Sequence, residues 1–248
     1  MLTRLLCTLC LILPNLAMAG SLNLAVAANF KQPLERLVRQ FDPEQQHQIA
    51  ISSASTGVLY TQIRQGAPFD ILLAADSARP ERLEQEGPGI AGSRFTYAIG
   101  QLALWQPKGH PDSLKDLLDA PLAIANPRTA PYGLAAQQVL KALDRWQPAQ
   151  QVQGSNIAQT FQFIHSGNVP QGLVARAQLI QQSIPPAQWV LVDPELHQPI
   201  EQQLIQLQRS AGNPLADAFI EFLHSAEARQ LIEQNGYVPG KGITHAAH

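Results

Sequence analysis

The sequence predicts an α/β protein of two lobes, each a mainly parallel sheet flanked by helices. Three observations point there. Apolar strands alternate with short helical stretches, the alternation restarts near residue 96 after a first round, and four helices begin directly where a strand ends.

The first strand is read at 22–27, an unbroken apolar run of the kind a strand covered on both faces shows. Ala28 and Asn29 follow as a short turn, and Leu34, Leu37, Val38 and Phe41 then recur at helical spacing. The unit returns with a strand at 48–52, the polar stretch Ser53-Ala54-Ser55-Thr56-Gly57, and a helix carrying Leu59 and Ile63 that Gly66 stops. A third strand is expected at 69–74. The second round has a long strand at 96–105, another at 121–125, and a helix from Tyr132 and Gly133 through Leu140 and Leu143. A further helix opens at Ser155 and Asn156, carries Ile157, Phe161 and Ile164 on one face, and ends at Gly167. A short strand at 172–174 comes next. Beyond a loop with Pro185, Pro186 and Pro194, a strand at 201–207 leads to Asn213-Pro214, a cap followed by a first-turn proline. Two final helices with Leu215, Phe219, Phe222 and Ile232 end at Asn235-Gly236. With crossings placed near Tyr97 and Pro199, lobe 1 takes residues 20–97 and 201–248, and lobe 2 takes 98–200.

Residues 1–19 have the grammar of a cleavable secretory signal peptide: Arg4, an apolar run through Leu11, Ile12 and Leu13, and Ala17-Met18-Ala19 before Gly20. The run is shorter than the roughly 20 residues that span a bilayer. Cys7 and Cys10, the only cysteines, both fall in this segment, so the mature chain has no disulfide and no thiol ligand for a metal. Losing Arg4 takes the formal net charge from −2 to −3, which supplies no basic face for nucleic acid. The residues from Lys241 to His248 read as a polar tail.

The helix starts carry the chemistry. At the carboxyl ends of parallel strands such starts gather around one crevice, and each offers free backbone N–H groups and the positive end of a helix dipole. The polar residues there are Asn29, Ser55, Thr56, Tyr132, Ser155 and Asn156, and none is lysine or arginine. A proton-free dianion accepts hydrogen bonds and donates none, so a neutral, donor-rich pocket suits it. Ser, Thr and Asn are also the ordinary caps of any helix. Spacing and composition leave both readings open.

Several segments occur in a fixed order: Leu24-Ala25-Val26-Ala27-Ala28-Asn29-Phe30, Ile51-Ser52-Ser53-Ala54-Ser55-Thr56-Gly57, Gly66-Ala67-Pro68-Phe69-Asp70, Gly92-Ser93-Arg94-Phe95-Thr96-Tyr97, Ala130-Pro131-Tyr132-Gly133 and Asn235-Gly236-Tyr237-Val238. In these the chain resembles the periplasmic molybdate-binding proteins of ABC transporters over nearly its whole mature length. The resemblance implies a two-lobed type II periplasmic-binding-protein fold that closes on one molybdate or tungstate. It also implies a monomer in the periplasm that serves an inner-membrane permease, with no cofactor, no catalytic residue and no bound metal cation. It places the oxyanion ligands at Asn29, through its side-chain amide and backbone N–H, at Thr56 and Tyr132, and at Ile157 through its backbone N–H, with Ala28 and Ser55 beside them. Two positions depart from the family pattern. Ala175 stands where better-known members carry a tyrosine, which Tyr132 replaces from the opposite side, and Ala28 stands where this branch tends to have threonine.

Three competing readings remain at this stage. Asp70 or Asp76 in the cleft would favour hydrogen phosphate over a proton-free anion such as sulfate or molybdate. A metal site would draw on His110, His165, His197 and His224, whose separations show no ligand spacing. A hydrolase would need a nucleophile, and the sequence has no Gly-x-Ser-x-Gly elbow.

Overall fold

The computed structural model describes residues 20–240; the expected signal peptide and the polar tail from Lys241 lie outside the described residues. The first round comprises β1 (Ser21–Ala27), a 3-10 turn (Ala28–Phe30), α1 (Lys31–Phe41), β2 (Gln48–Ala54), α2 (Thr56–Arg64), β3 (Ile71–Leu73), α3 (Ala78–Glu86) and β4 (Phe95–Gly100). The second comprises β5 (Leu102–Trp105), β6 (Leu122–Ala125), α4 (Pro131–Ala142), β7 (Gln151–Gly154), α5 (Ile157–His165), β8 (Gln171–Ala175), α6 (Arg176–Gln181) and β9 (Trp189–Leu191). The chain returns through β10 (Ile200–Gln206), α7 (Pro214–Leu223), α8 (Ala226–Gln234) and β11 (Val238–Pro239).

The strands form two sheets, ordered β11-β4-β10-β3-β1-β2 and β7-β6-β8-β5-β9. In the first, β10 is slotted between β3 and β4 and runs against both, while β1 pairs parallel with β2 and β3. In the second, β6 pairs parallel with β7 and β8, and β5 pairs antiparallel with β8 and β9. The reversed strands β5 and β10 are the ones by which the chain enters each sheet from the other. The parallel pairs are the strand-helix-strand units that the alternation predicts.

The single strand expected at 96–105 is two strands, β4 and β5, in different sheets. Apolar residues flank the break on both sides, so periodicity alone runs the two strands together, and the one local sign is the pair Gly100-Gln101. The passage occurs at Gly100 and Gln101. Five elements have no counterpart in the sequence reading: α3, β7, α6, β9 and the two-residue β11. α3 is largely charged and buries only Pro80 and Leu83, so it lacks the broad apolar stripe that marks a helix. β7 and β9 are three or four residues long and only partly buried.

Each sheet is covered on both faces. Leu34 and Leu37 of α1, Phe219 of α7 and Ile232 of α8 pack on one face of the first sheet, with Phe30, Tyr97 and Tyr237 in the same cluster. Leu59 and Ile63 of α2 and Leu83 of α3 cover the other face. In the second sheet, α4 covers one face through Ala136, Val139 and Leu140, and α5 covers the other through Phe161 and Ile164. Both sheets therefore direct the carboxyl ends of their parallel strands, with the helix starts that follow, toward the space between the lobes. Among the described residues no helix is long and apolar enough to cross a membrane.

Candidate functional site

A small cavity lies between the lobes, lined from the first by Ala27, Ala28, Asn29, Ser55, Thr56 and Ala75 and from the second by Ala130, Pro131, Tyr132, Asn156 and Ile157. All six candidate ligand residues thus meet at one place. Ser155 is exposed and does not line it. Every contributing segment follows the carboxyl end of a strand: the 3-10 turn follows β1, α2 follows β2, Ala75 follows β3, the loop into α4 follows β6, and α5 follows β7.

The capping alternative can be judged start by start. At α5 it holds, because Asn156 Oδ1 accepts from the Gln159 N–H at 3.0 Å. At α2 it does not. Ser55 occupies the cap position but its side chain makes no capping bond, and its buried Oγ has no hydrogen-bond partner among the described residues. The 3-10 turn and α4 begin at Ala27 and Ala130, which have no side-chain acceptor. Pro131 opens α4, where its missing N–H costs nothing. A buried hydroxyl without a partner is costly in a folded protein, and at a helix start it is set to donate.

Thr56 Oγ1 accepts from the Ala75 N–H at 3.0 Å, which fixes the side chain and leaves its hydroxyl proton uncommitted. Tyr132 reaches from α4 toward β10, where its oxygen accepts from Gln202 Nε2 at 3.2 Å. Its proton has no acceptor among the described residues. Asn29 is held differently: its Nδ2 donates to Gln202 Oε1 at 2.8 Å and to the Tyr237 hydroxyl at 3.2 Å, and Tyr237 donates to the Asn29 carbonyl at 2.7 Å. Both hydrogens of the Asn29 amide therefore have protein acceptors, and what Asn29 leaves for a ligand is its backbone N–H. Ile157 is positioned by Gln178, whose Nε2 donates to the Ile157 carbonyl at 3.1 Å while its Oε1 accepts from the Ala175 N–H at 3.2 Å.

Among the described residues, no carboxylate lines the cavity. Asp70 is buried at the other end of β3, accepting from the Asn23 N–H at 2.6 Å and from Arg209 at 2.5 Å. Asp76 borders a neighbouring groove and is paired with Arg79. Burial pushes the Tyr132 and Tyr97 hydroxyls well above the ordinary tyrosine range and raises Tyr237 as well, so all three remain protonated donors at neutral pH. Among the described residues no group of three or more histidine, cysteine or acidic side chains is placed to hold a metal. His165 instead packs against Phe161 and Trp105, and His224 against Phe95.

The lobes touch beside the cavity. The Gly57 N–H donates to the Thr129 carbonyl at 2.9 Å, and Arg79 Nη2 donates to the Arg128 carbonyl at 3.1 Å. The arrangement is a small pocket between two touching lobes, lined by neutral residues that include three hydroxyl-bearing side chains. Residues 22–238 match the family model of the bacterial extracellular solute-binding proteins. The chain belongs to that family.

Among these solute-binding proteins, the molybdate-binding protein ModA of Azotobacter vinelandii is 41% identical over 229 residues, covering 89% of this chain and 91% of its own. That of Rhodobacter capsulatus is 37% identical over 228 residues, covering 90% of each. The solved periplasmic molybdate-binding protein of Azotobacter vinelandii superposes with a TM-score of 0.82 at 35% identity, covering 88% of this chain and 98% of that one. A sulfate-binding protein of Mycobacterium tuberculosis, at 14% identity and a TM-score of 0.72 over 89% of this chain and 87% of that one, shares the fold. The residues that sequence reasoning did not find in this solute-binding protein are Gln202, Gln178, Tyr97 and Tyr237. Each acts on the cavity through another side chain or a carbonyl, and Gln202 and Gln178 read in sequence as ordinary polar positions.

Proposed function

We propose that this chain captures a tetrahedral oxyanion, molybdate or tungstate, between its lobes and presents it to the permease of an ABC transporter. One observation carries the reading: Ser55, Thr56 and Tyr132, whose hydroxyl protons have no acceptor among the described residues, line one carboxylate-free cavity together with the helix starts at Thr56 and Ile157. Hydrogen bonds to a charged group contribute roughly 1.5 to 3 kcal/mol each, so several of them offset the cost of removing a dianion from water without any formal positive charge. Hydrogen phosphate carries a proton that needs an acceptor, and neither Asp70 nor Asp76 reaches the lining. The name that the two relatives above 35% identity share supports molybdate within the class.

The ligand set in this reading is the Asn29 and Ile157 backbone N–H groups and the Thr56, Ser55 and Tyr132 hydroxyls, with Ala28 lining the cavity without a hydroxyl of its own. Ala175 and Tyr132 share one core cluster, and in this reading Tyr132 supplies the phenol that position 175 lacks. With one lobe on each side of the passage at Gly100 and Gln101, the anion is held from both sides and favours the closed state that the permease reads. Export by a signal peptide at residues 1–19 places the mature monomer in the periplasm.

Calorimetric titration of the mature chain with molybdate, tungstate, sulfate and phosphate tests this. Binding of molybdate or tungstate at micromolar or better, with phosphate weakest, is the expected result. Silence toward both molybdate and tungstate sinks the reading.

A further inference from the structure

We propose that Gln202 is a positioning residue that makes the oxyanion cavity a donor: its amide holds the Tyr132 oxygen as an acceptor, so that the Tyr132 proton is left for the anion. The inference rests on the reading of the cavity as an oxyanion site. Gln202 is fully buried on β10, next to the register shift between Gln202 and Gln203 that re-aims the strand's side chains. It lines neither the cavity nor the grooves beside it. Its amide nevertheless bonds to ligand candidates from both lobes.

The orientation of that amide is set by its neighbours. Asn29 Nδ2 donates to Oε1 at 2.8 Å, the end of a glutamine that can only accept. The Asn29 amide is itself oriented by Tyr237, whose oxygen accepts from Nδ2 at 3.2 Å while its proton goes to the Asn29 carbonyl at 2.7 Å. The single Tyr97 proton is shared between the Ala74 carbonyl at 3.0 Å and Oε1 at 3.2 Å, so the orientation rests on Asn29. Nε2 is then left facing the Tyr132 oxygen at 3.2 Å. A phenol has one proton, and an oxygen that accepts from an N–H on one side must direct its O–H elsewhere. Gly100 keeps the contact open, since a Cβ there would collide with the Tyr132 hydroxyl and crowd the Gln202 amide. Reversing the amide would set Nε2 against the Asn29 amide hydrogens and turn the Tyr132 proton inward to Oε1. The cavity would lose a donor without any change in its lining.

The test is a molybdate titration of the mature chain, followed by calorimetry. Gln202→Leu is expected to weaken binding about tenfold in the wild-type background and by less than about twofold in Tyr132→Phe, because the residue acts through the tyrosine. Equal losses in both backgrounds, or none in either, overturn the proposal. Gln202→Glu supplies an independent readout if the leucine variant folds poorly. A protonated glutamic acid can donate to Tyr132 as the amide does, whereas an ionised one accepts the tyrosine proton, so its affinity should fall as pH rises from about 6 to 9 while the wild type stays flat. A Gln202→Glu profile that matches the wild type at every pH overturns the proposal. If the wild type itself binds none of molybdate, tungstate, sulfate and phosphate, it is the reading of the cavity that falls.

Discussion

The backbone N–H of Gly57 donates across the cleft to the carbonyl of Thr129 at 2.9 Å, so the helix that carries Thr56 is joined directly to the loop that precedes Tyr132. The approach favours glycine. A Cβ at position 57 would lie 3.0 Å from both the Thr129 Cα and its carbonyl oxygen. Because position 57 is in the first turn of α2, alanine is otherwise favourable there, by about 0.5 to 1 kcal/mol over glycine. Gly57→Ala should therefore leave the apo protein as stable as the wild type or slightly more so, while weakening molybdate binding by about 1 to 3 kcal/mol through strain in the closed form. Thermal melting with and without molybdate, beside calorimetry, separates the two effects. Unchanged affinity would mean that this contact is no part of closure.

Ser55 gives a prediction in which capping and ligand binding have opposite signs. Loss of a true serine cap costs about 1 kcal/mol of stability. Here Oγ is buried without a protein partner, so Ser55→Ala removes an unsatisfied group. The apo protein is expected to gain up to about 1 kcal/mol in urea denaturation while its affinity for molybdate drops by a comparable amount. A stability loss with unchanged affinity would restore the plain capping role.

Thr56 combines both roles. Its oxygen is the acceptor for the Ala75 N–H at 3.0 Å, and its proton is free for the cavity. Thr56→Ala should lower apo stability and molybdate affinity together, each by about 1 to 3 kcal/mol, because it strands a buried N–H and removes a donor. Thr56→Ser keeps the hydroxyl and should recover most of both in the same denaturation and titration experiments.

How much of this was legible in the sequence follows from which interactions are local. The strand-helix units around Asn29, Ser55 and Ile157 carry their apolar periodicity and their polar turn residues within a few positions, so both the elements and the gathering of their starts could be read. The division of 96–105 between two sheets could not, because β4 and β5 are both largely apolar, lie nearly end to end in sequence, and are told apart by distant partners. The Asn29 amide looked available for the same reason. Its acceptors, Gln202 and the Tyr237 hydroxyl, lie far along the chain, and only the fold brings them to it. Ala175 was visible as a missing tyrosine, but the Gln178 bridge from Ala175 to Ile157 was not.

The tyrosine cluster behind the cavity predicts how stability depends on alkaline pH. Burial, with smaller contributions from neighbouring charges, raises Tyr97 and Tyr132 far above the ordinary value near about 10, and burial raises Tyr237. Below that value both folded and unfolded chains keep these protons, and the groups contribute no pH dependence. Above it the unfolded chain releases protons that the folded chain retains, so fewer are bound in the unfolded state and stability falls as pH rises, by about 1.4 kcal/mol per pH unit for each tyrosine. Tyr97 is the residue to change, since it does not line the cavity and its hydroxyl meets the Ala74 carbonyl and Gln202. Tyr97→Phe should shift stability at pH 8 by the loss of those bonds and reduce the alkaline slope by about one tyrosine's share. Chemical denaturation at intervals from about pH 8 to 11 measures both, and a variant slope equal to that of the wild type would mean that Tyr97 ionises as readily in the folded chain as in the unfolded one.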